Sequence, residues 1–232
     1  MQLLNILFLM ISYLIIAASI FLWGRNYNST GTNLHKEKGV SSPLREKEQI
    51  ILIALLLFSL AMRLWQFGNV PGGINQDEAM AAVEAKALAD YGTDRFGMHM
   101  PVHFTAWDFG QMSVLLSYCM VPFIKIFGLS VVTVRLPILL ASMAGLVAAY
   151  FIVRFLIGIE AAQITLLLGS LNPWHYMQSR WAIDCNMFPH MFMLGMLFLL
   201  MGLLKYKHCI GLSMLFFALC MYSYGISFYT VP

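Results

Sequence analysis

The chain has 232 residues, of which 60% are hydrophobic and only 11% charged, and its mean hydropathy is +0.75. Soluble domains carry charge on about a quarter of their residues, so a water-soluble fold is not expected. The net charge of +3 is too small and too evenly spread to indicate nucleic-acid binding.

Residues 3–23 form an apolar run of about the length a bilayer requires, with no basic residue ahead of it as a cleaved leader would need. They predict a membrane helix. The polar stretch 24–48 carries Arg25, Lys36, Lys38, Arg45 and Lys47, which makes it cytoplasmic by the positive-inside rule and puts the N-terminus outside. Residues 1–48 are thus expected to be an extra helix and basic loop ahead of a main domain at 49–232.

Residues 50–67 predict an outward crossing, with Arg63 and Trp65 as interfacial anchors near its outer end. The interval 68–131 is rich in acids: Asp77, Glu78, Glu84, Asp90, Asp94 and Asp108 stand against Lys86, Arg95 and Lys125. Within it, 75–90 reads as a short amphipathic helix. Pro71-Gly72-Gly73 leads into it, Asn75 or Gln76 caps it, acids fill its first turn and Gly92 ends it. The apolar stretch 111–127 resembles a span but holds Pro122 and Lys125.

Further spans are expected at 132–154, 161–176, 187–204 and 209–229. Lys205, Lys207 and His208 form a basic turn. Counting from the cytoplasmic loop, that turn is cytoplasmic only if 111–127 does not cross. The same count places the loop 172–186 on the outer side with Asp77. Cys119, Cys185, Cys209 and Cys220 have neither zinc spacing nor disulfide-scaffold density and read as small apolar residues. No spacing among His99, His103, His175 and His190 suits a metal. The fold expected is therefore all-α, a polytopic bundle with juxtamembrane helices in its first external loop.

Two constellations can carry chemistry. In the first, Asp77 and Glu78 start a helix, where successive positions diverge by about 100° and so reach different partners. They equally suit a helix cap and its dipole. In the second, Arg180 and Asp184 lie in a loop between membrane helices, where ionisable groups are costly and need partners. Their spacing of four allows a helical ion pair that merely clamps the loop; alternatively Arg180 serves phosphate oxygens while Asp184 adds an acid to the same cleft.

The linked order Pro71-Gly72-Gly73, Gln76-Asp77-Glu78-Ala79, Tyr91-Gly92-Thr93-Asp94, Pro101-Val102, Phe127-Gly128-Leu129-Ser130, Val134-Arg135-Leu136-Pro137, Asn172-Pro173-Trp174 and Ser179-Arg180-Trp181 resembles the N-terminal half of bacterial GT-C glycosyltransferases related to protein O-mannosyltransferases and the lipid A aminoarabinose transferase. The resemblance spans about residues 52–232. It implies transfer of a sugar from a polyprenyl-phosphate carrier to a lipid, protein or cell-wall polymer acceptor at the outer face of the cell membrane.

By that resemblance Asp77 is the catalytic base, and Glu78 and Asp184 hold the site's geometry or a divalent cation. Arg180, with Asn75 and Trp181, binds substrate. Carboxylates and phosphate oxygens together suit a hard cation, which the resemblance does not require. The family runs to several hundred residues, so the chain is expected to be the N-terminal part of a longer protein. The alternatives are a scaffold or transporter component without catalysis and an inactive gene fragment. The surface clustering of acids and the lack of a repeat favour the enzyme.

Overall fold

In the computed structural model, residues 44–107 and 110–231 are described. The expected N-terminal helix at 3–23 and most of the polar stretch 24–48 lie outside the described residues, and so does Asp108.

Among the described residues the chain is mostly helical: α1 (Glu46–Leu64), α2 (Gln76–Tyr91), α3 (Leu115–Phe127), α4 (Val131–Leu156), α5 (Ile159–Leu171), α6 (Pro173–Gln178), α7 (Asp184–Leu204), α8 (Cys209–Met221) and α9 (Ser227–Thr230). One departure from the expected all-α fold is a two-stranded antiparallel hairpin between α2 and α3. It pairs β1 (Phe104–Ala106) with β2 (Gly110–Met112) in the register Phe104 to Met112, Thr105 to Gln111 and Ala106 to Gly110. The apolar stretch 111–127 is accordingly divided between the end of a strand and a helix of 13 residues. Such a helix rises about 20 Å, less than the roughly 30 Å hydrocarbon layer.

Helix α2 forms where its sequence signals place it. Asn75 accepts a hydrogen bond from Asp77 N at 2.8 Å and Glu78 reaches back to Asn75 N at 3.4 Å, a reciprocal cap that satisfies two orphan donors. At the other end Gly92 adopts φ +72°, a left-handed conformation that costs glycine little.

Helices α4 and α7, of 26 and 21 residues, are long and apolar enough to cross a membrane. Only 28% of the most apolar stretch of α7 is buried within the molecule, leaving much apolar surface without a protein partner. The expected spans at 161–176 and 209–229 hold shorter helices, of 13 residues each. Asn172 interrupts the first by capping a new helix that Pro173 opens, its side chain accepting from Trp174 N and His175 N. A turn at Tyr222 and Ser223 ends the second.

Helix α4 organises the packing, lying against α3, α5 and α7, while α1 packs on α5 and α8 on α7. One core unites α2, the hairpin and α3 with the first half of α4 and the start of α7, through Met80, Phe104, Met120, Ile138 and Met187. A second core joins α1, the second half of α4 and α5 through Leu52, Leu146, Tyr150 and Leu166. At this second end Glu48 pairs with Arg154 at 2.5 Å and accepts from Tyr150 at 2.7 Å. At the opposite end of α4 lie α2 and the connection 172–183, so both polar constellations gather at one end of the helices.

Candidate active site

Glu78 is fully buried and joins three elements. Its Oε1 accepts from Arg135 Nε at 2.7 Å and its Oε2 from Arg135 Nη2 at 3.0 Å, a bidentate pair between α2 and α4. Oε1 also accepts from Ala182 N at 3.3 Å, which ties the connection ahead of α7 to α2. Arg135 in turn donates to Pro71 O at 3.1 Å and Gly73 O at 2.7 Å, fixing the loop that enters α2. A carboxylate so occupied ties α2 to α4 and to the connection ahead of α7. Both of its oxygens are taken, so it does not fit as a ligand for a cation.

Asp77, the residue before Glu78 in α2, is half-buried. It lies within electrostatic range of Asp184 and of Cys185 on the first turn of α7. The two acids, 107 positions apart in the chain, thus feel each other's charge. Asp184 is held by hydrogen bonds from the backbone and side chain of Ser113, and its Oδ1 accepts from Cys185 N at 2.8 Å. Among the described residues no group of three or more His, Cys, Asp or Glu side chains is arranged to hold a metal. With Glu78 committed to Arg135, Asp77 and Asp184 are what remains of the three acids that the sequence offered a cation.

The helical Arg180–Asp184 pair does not form. The backbone leaves the helix at Ser179, and α7 starts only at Asp184, so the two side chains are not stacked one turn apart. Arg180 is fully buried instead; its Nη1 donates to the Tyr176 hydroxyl and its guanidinium lies 5.0 Å from the centre of that ring. Trp181 is half-buried and its carbonyl accepts from Asn186 Nδ2 at 2.9 Å, closing the turn before α7. The side-chain oxygen of Asn75 is committed to the helix cap.

Ser113 also lines a cleft of about 580 Å³ between the hairpin and the C-terminal end of α8, with His103, Gln111, Met112 and Tyr222 on its walls. Leu115 N donates to Tyr222 O at 3.0 Å, joining the start of α3 to the end of α8.

Sequence reasoning missed Arg135 and Ser113. Arg135 carried a signal, since an arginine in an otherwise apolar 26-residue helix needs a partner. Ser113 carried none. Arg63, expected as an interfacial anchor, is fully buried, whereas Trp65 is 71% exposed. Arg63 donates to Ser59 Oγ at 2.6 Å, to the carbonyls of Ser59, Gly169 and Ser170, and to His175 Nδ1 at 2.7 Å. Carbonyls at the end of α5 capture it before it can reach an interface.

No protein-family model, curated protein or solved structure matches this chain.

Proposed function

We propose that this chain is an integral membrane glycosyltransferase of the GT-C kind, multi-pass, with its site on the extracytoplasmic side. It transfers a sugar from a polyprenyl-phosphate carrier to a lipid, protein or cell-wall polymer acceptor. The observation that carries the reading is that Asp77 and Asp184, two acids from distant segments, lie within electrostatic range of each other. The apolar surface left open on α7, together with exposed Ile53, Leu57, Leu168 and Met214, supports a lipid environment.

In the reaction the acceptor oxygen forms a bond to the anomeric carbon while the bond from that carbon to the phosphate oxygen breaks. The lipid phosphate departs with the electron pair. Asp77 takes the acceptor's proton, and Asp184, fixed by Ser113, orients the acceptor hydroxyl toward it. Arg180 meets the charge that grows on the leaving phosphate. Glu78, Arg135 and Asn75 touch no substrate; they set the pitch of α2 and hence the position of Asp77.

The test is transfer of radiolabelled sugar from its polyprenyl phosphate in membranes carrying the protein or its Asp77→Asn variant. Loss of a general base costs about 10²- to 10⁴-fold, so transfer in the variant should fall into that range. Undiminished transfer would show that Asp77 is not the base.

A further inference from the structure

The cleft between the hairpin and the end of α8, about 580 Å³ in volume, has no ligand in the steps above. Its size is that of a small-molecule site. Local structure decides what faces it. In the hairpin Phe104 and Met112 form a cross-strand pair that belongs to the core, and strand alternation turns Gln111 to the exposed side. His103 precedes β1 and Ser113 follows β2, so both ends of the hairpin contribute to the wall. From the other segment come Tyr222, in the turn that ends α8, then Gly225 and Phe228. The bond from Leu115 N to Tyr222 O ties the two segments together.

Among the described residues the walls carry no carboxylate, ammonium or guanidinium group, so a charged ligand would find no opposite charge there. They carry instead His103, Gln111, Ser113 and Tyr222. A neutral imidazole, an amide and a hydroxyl each donate and accept hydrogen bonds, and so do the hydroxyls of a sugar. His103, Gln111 and Tyr222 are exposed, and no hydrogen bond among the described residues occupies their side chains. The aromatic rings of Tyr222 and Phe228 complete the set: the C–H bonds on one face of a pyranose suit the negative face of such a ring. An acyl chain in the same place would set four polar groups against hydrocarbon.

We infer that this cleft binds a neutral sugar ring, held through its hydroxyls by His103, Gln111, Ser113 and Tyr222 and through its C–H face by the rings of Tyr222 and Phe228. Ser113 belongs to the wall and also holds Asp184, so one residue links the bound ring to that acid. Two sources supply such a ring: a glycan acceptor, which would narrow the acceptor class to a polymer of neutral sugars, and the sugar on the carrier. Assigning the ring to either source rests on the transfer reading above; the sugar-binding cleft itself does not.

The test is saturation-transfer NMR on the whole protein in a detergent without a sugar headgroup. The ligands are the methyl glycosides of glucose, galactose and mannose and a trisaccharide of each, with cyclohexanol as a ring that lacks the hydroxyl pattern. Saturable binding of at least one glycoside is expected, weakened about fivefold or more in Gln111→Ala and in Tyr222→Ala. Gly225→Phe should abolish it by filling the cleft. A Cβ at Gly225 meets nothing within 4 Å, so this variant occupies open space without disturbing the fold. A trisaccharide bound more tightly than its methyl glycoside marks an acceptor glycan, and equal affinity marks the single ring of the carrier; both support the site. Asp77→Asn should bind the glycoside like the unaltered protein, so a failed transfer assay leaves this result standing. No saturable binding of any glycoside, undiminished binding in Gly225→Phe, or cyclohexanol bound as tightly as the glycosides overturns the site.

Discussion

Replacing Glu78 with glutamine leaves the shape of α2 intact but strands the guanidinium of Arg135, whose side chain, like that of Glu78, is wholly buried. Breaking such a pair from one side costs about 3–5 kcal/mol. For a domain of this size that corresponds to roughly 10 °C in melting temperature, at about 2–4 °C per kcal/mol. Arg135→Met should cost a similar amount, because Glu78 is then the uncompensated charge. The double variant Glu78→Leu with Arg135→Met removes both charges. What it still loses is the tether from Arg135 to Pro71 O and Gly73 O and the bonds that Glu78 accepts from Ala182 N and Asn75 N, four hydrogen bonds at about 1 kcal/mol each.

The double variant should therefore sit only about 4 kcal/mol below the unaltered protein, against roughly 6–10 kcal/mol if the single effects simply added. Thermal unfolding of the detergent-solubilised protein, followed by tryptophan fluorescence, measures all four corners of the cycle. Sugar transfer should stay impaired in the double variant despite its recovered stability, since the loop that sets Asp77 is no longer held. Additive losses would show that Glu78 and Arg135 do not act as a buried pair, and with them would fall the account of how Asp77 is positioned.

Gly92→Ala should lower stability by about 1–2 kcal/mol in the same unfolding assay, because the αL cap of α2 at φ +72° strains any residue with a Cβ. Gly195→Ala should cost about 1–3 kcal/mol by overpacking, the new methyl meeting the Phe217 ring at 2.7 Å between α7 and α8. Burial pushes the carboxyl of Glu84 above its ordinary 4.5, outweighing the backbone N–H and the partly exposed guanidinium of Arg95 3.2 Å away. A raised folded value means that this group's contribution to stability is fully present below 4.5 and is lost as the pH rises through the folded value. The advantage of the unaltered protein over Glu84→Gln in melting temperature should shrink across that interval, and a widening gap would contradict the assignment. Cysteines introduced at the exposed positions Trp174 and Ile74 should react with a membrane-impermeant maleimide from outside the cell, whereas one at Lys47 should react only after permeabilisation.

Much of the local structure was legible in the residues. Asn75, Glu78 and Gly92 specify α2 because capping is decided within a few positions of the chain, and the boundaries expected, 75–90, match the helix at Gln76–Tyr91. The long apolar runs at Val131–Leu156 and Asp184–Leu204 are helices for an equally local reason, since an uninterrupted apolar stretch must satisfy its own backbone. The hairpin was not legible: three-residue strands leave almost no alternation to detect, and Gln111 and Met112 look like the start of the apolar run that follows.

Charge type and spacing along the chain determined that Asp77 and the 172–186 segment are candidates for one site, because acids and arginines beside apolar helices are costly without a purpose or a partner. The spacing of four between Arg180 and Asp184 misled, since it implies a contact only if the chain between them is helical. Tertiary packing decided what each of these groups does. It gave Glu78 to Arg135, Asp184 to Ser113 and Arg63 to the end of α5, and it left Arg180 with donors to spare. The reason is one of range: a cap or an apolar helix is settled by neighbours in the chain, but the partner of a buried charge is whichever dipole or opposite charge the packed helices bring within about 3 Å of it.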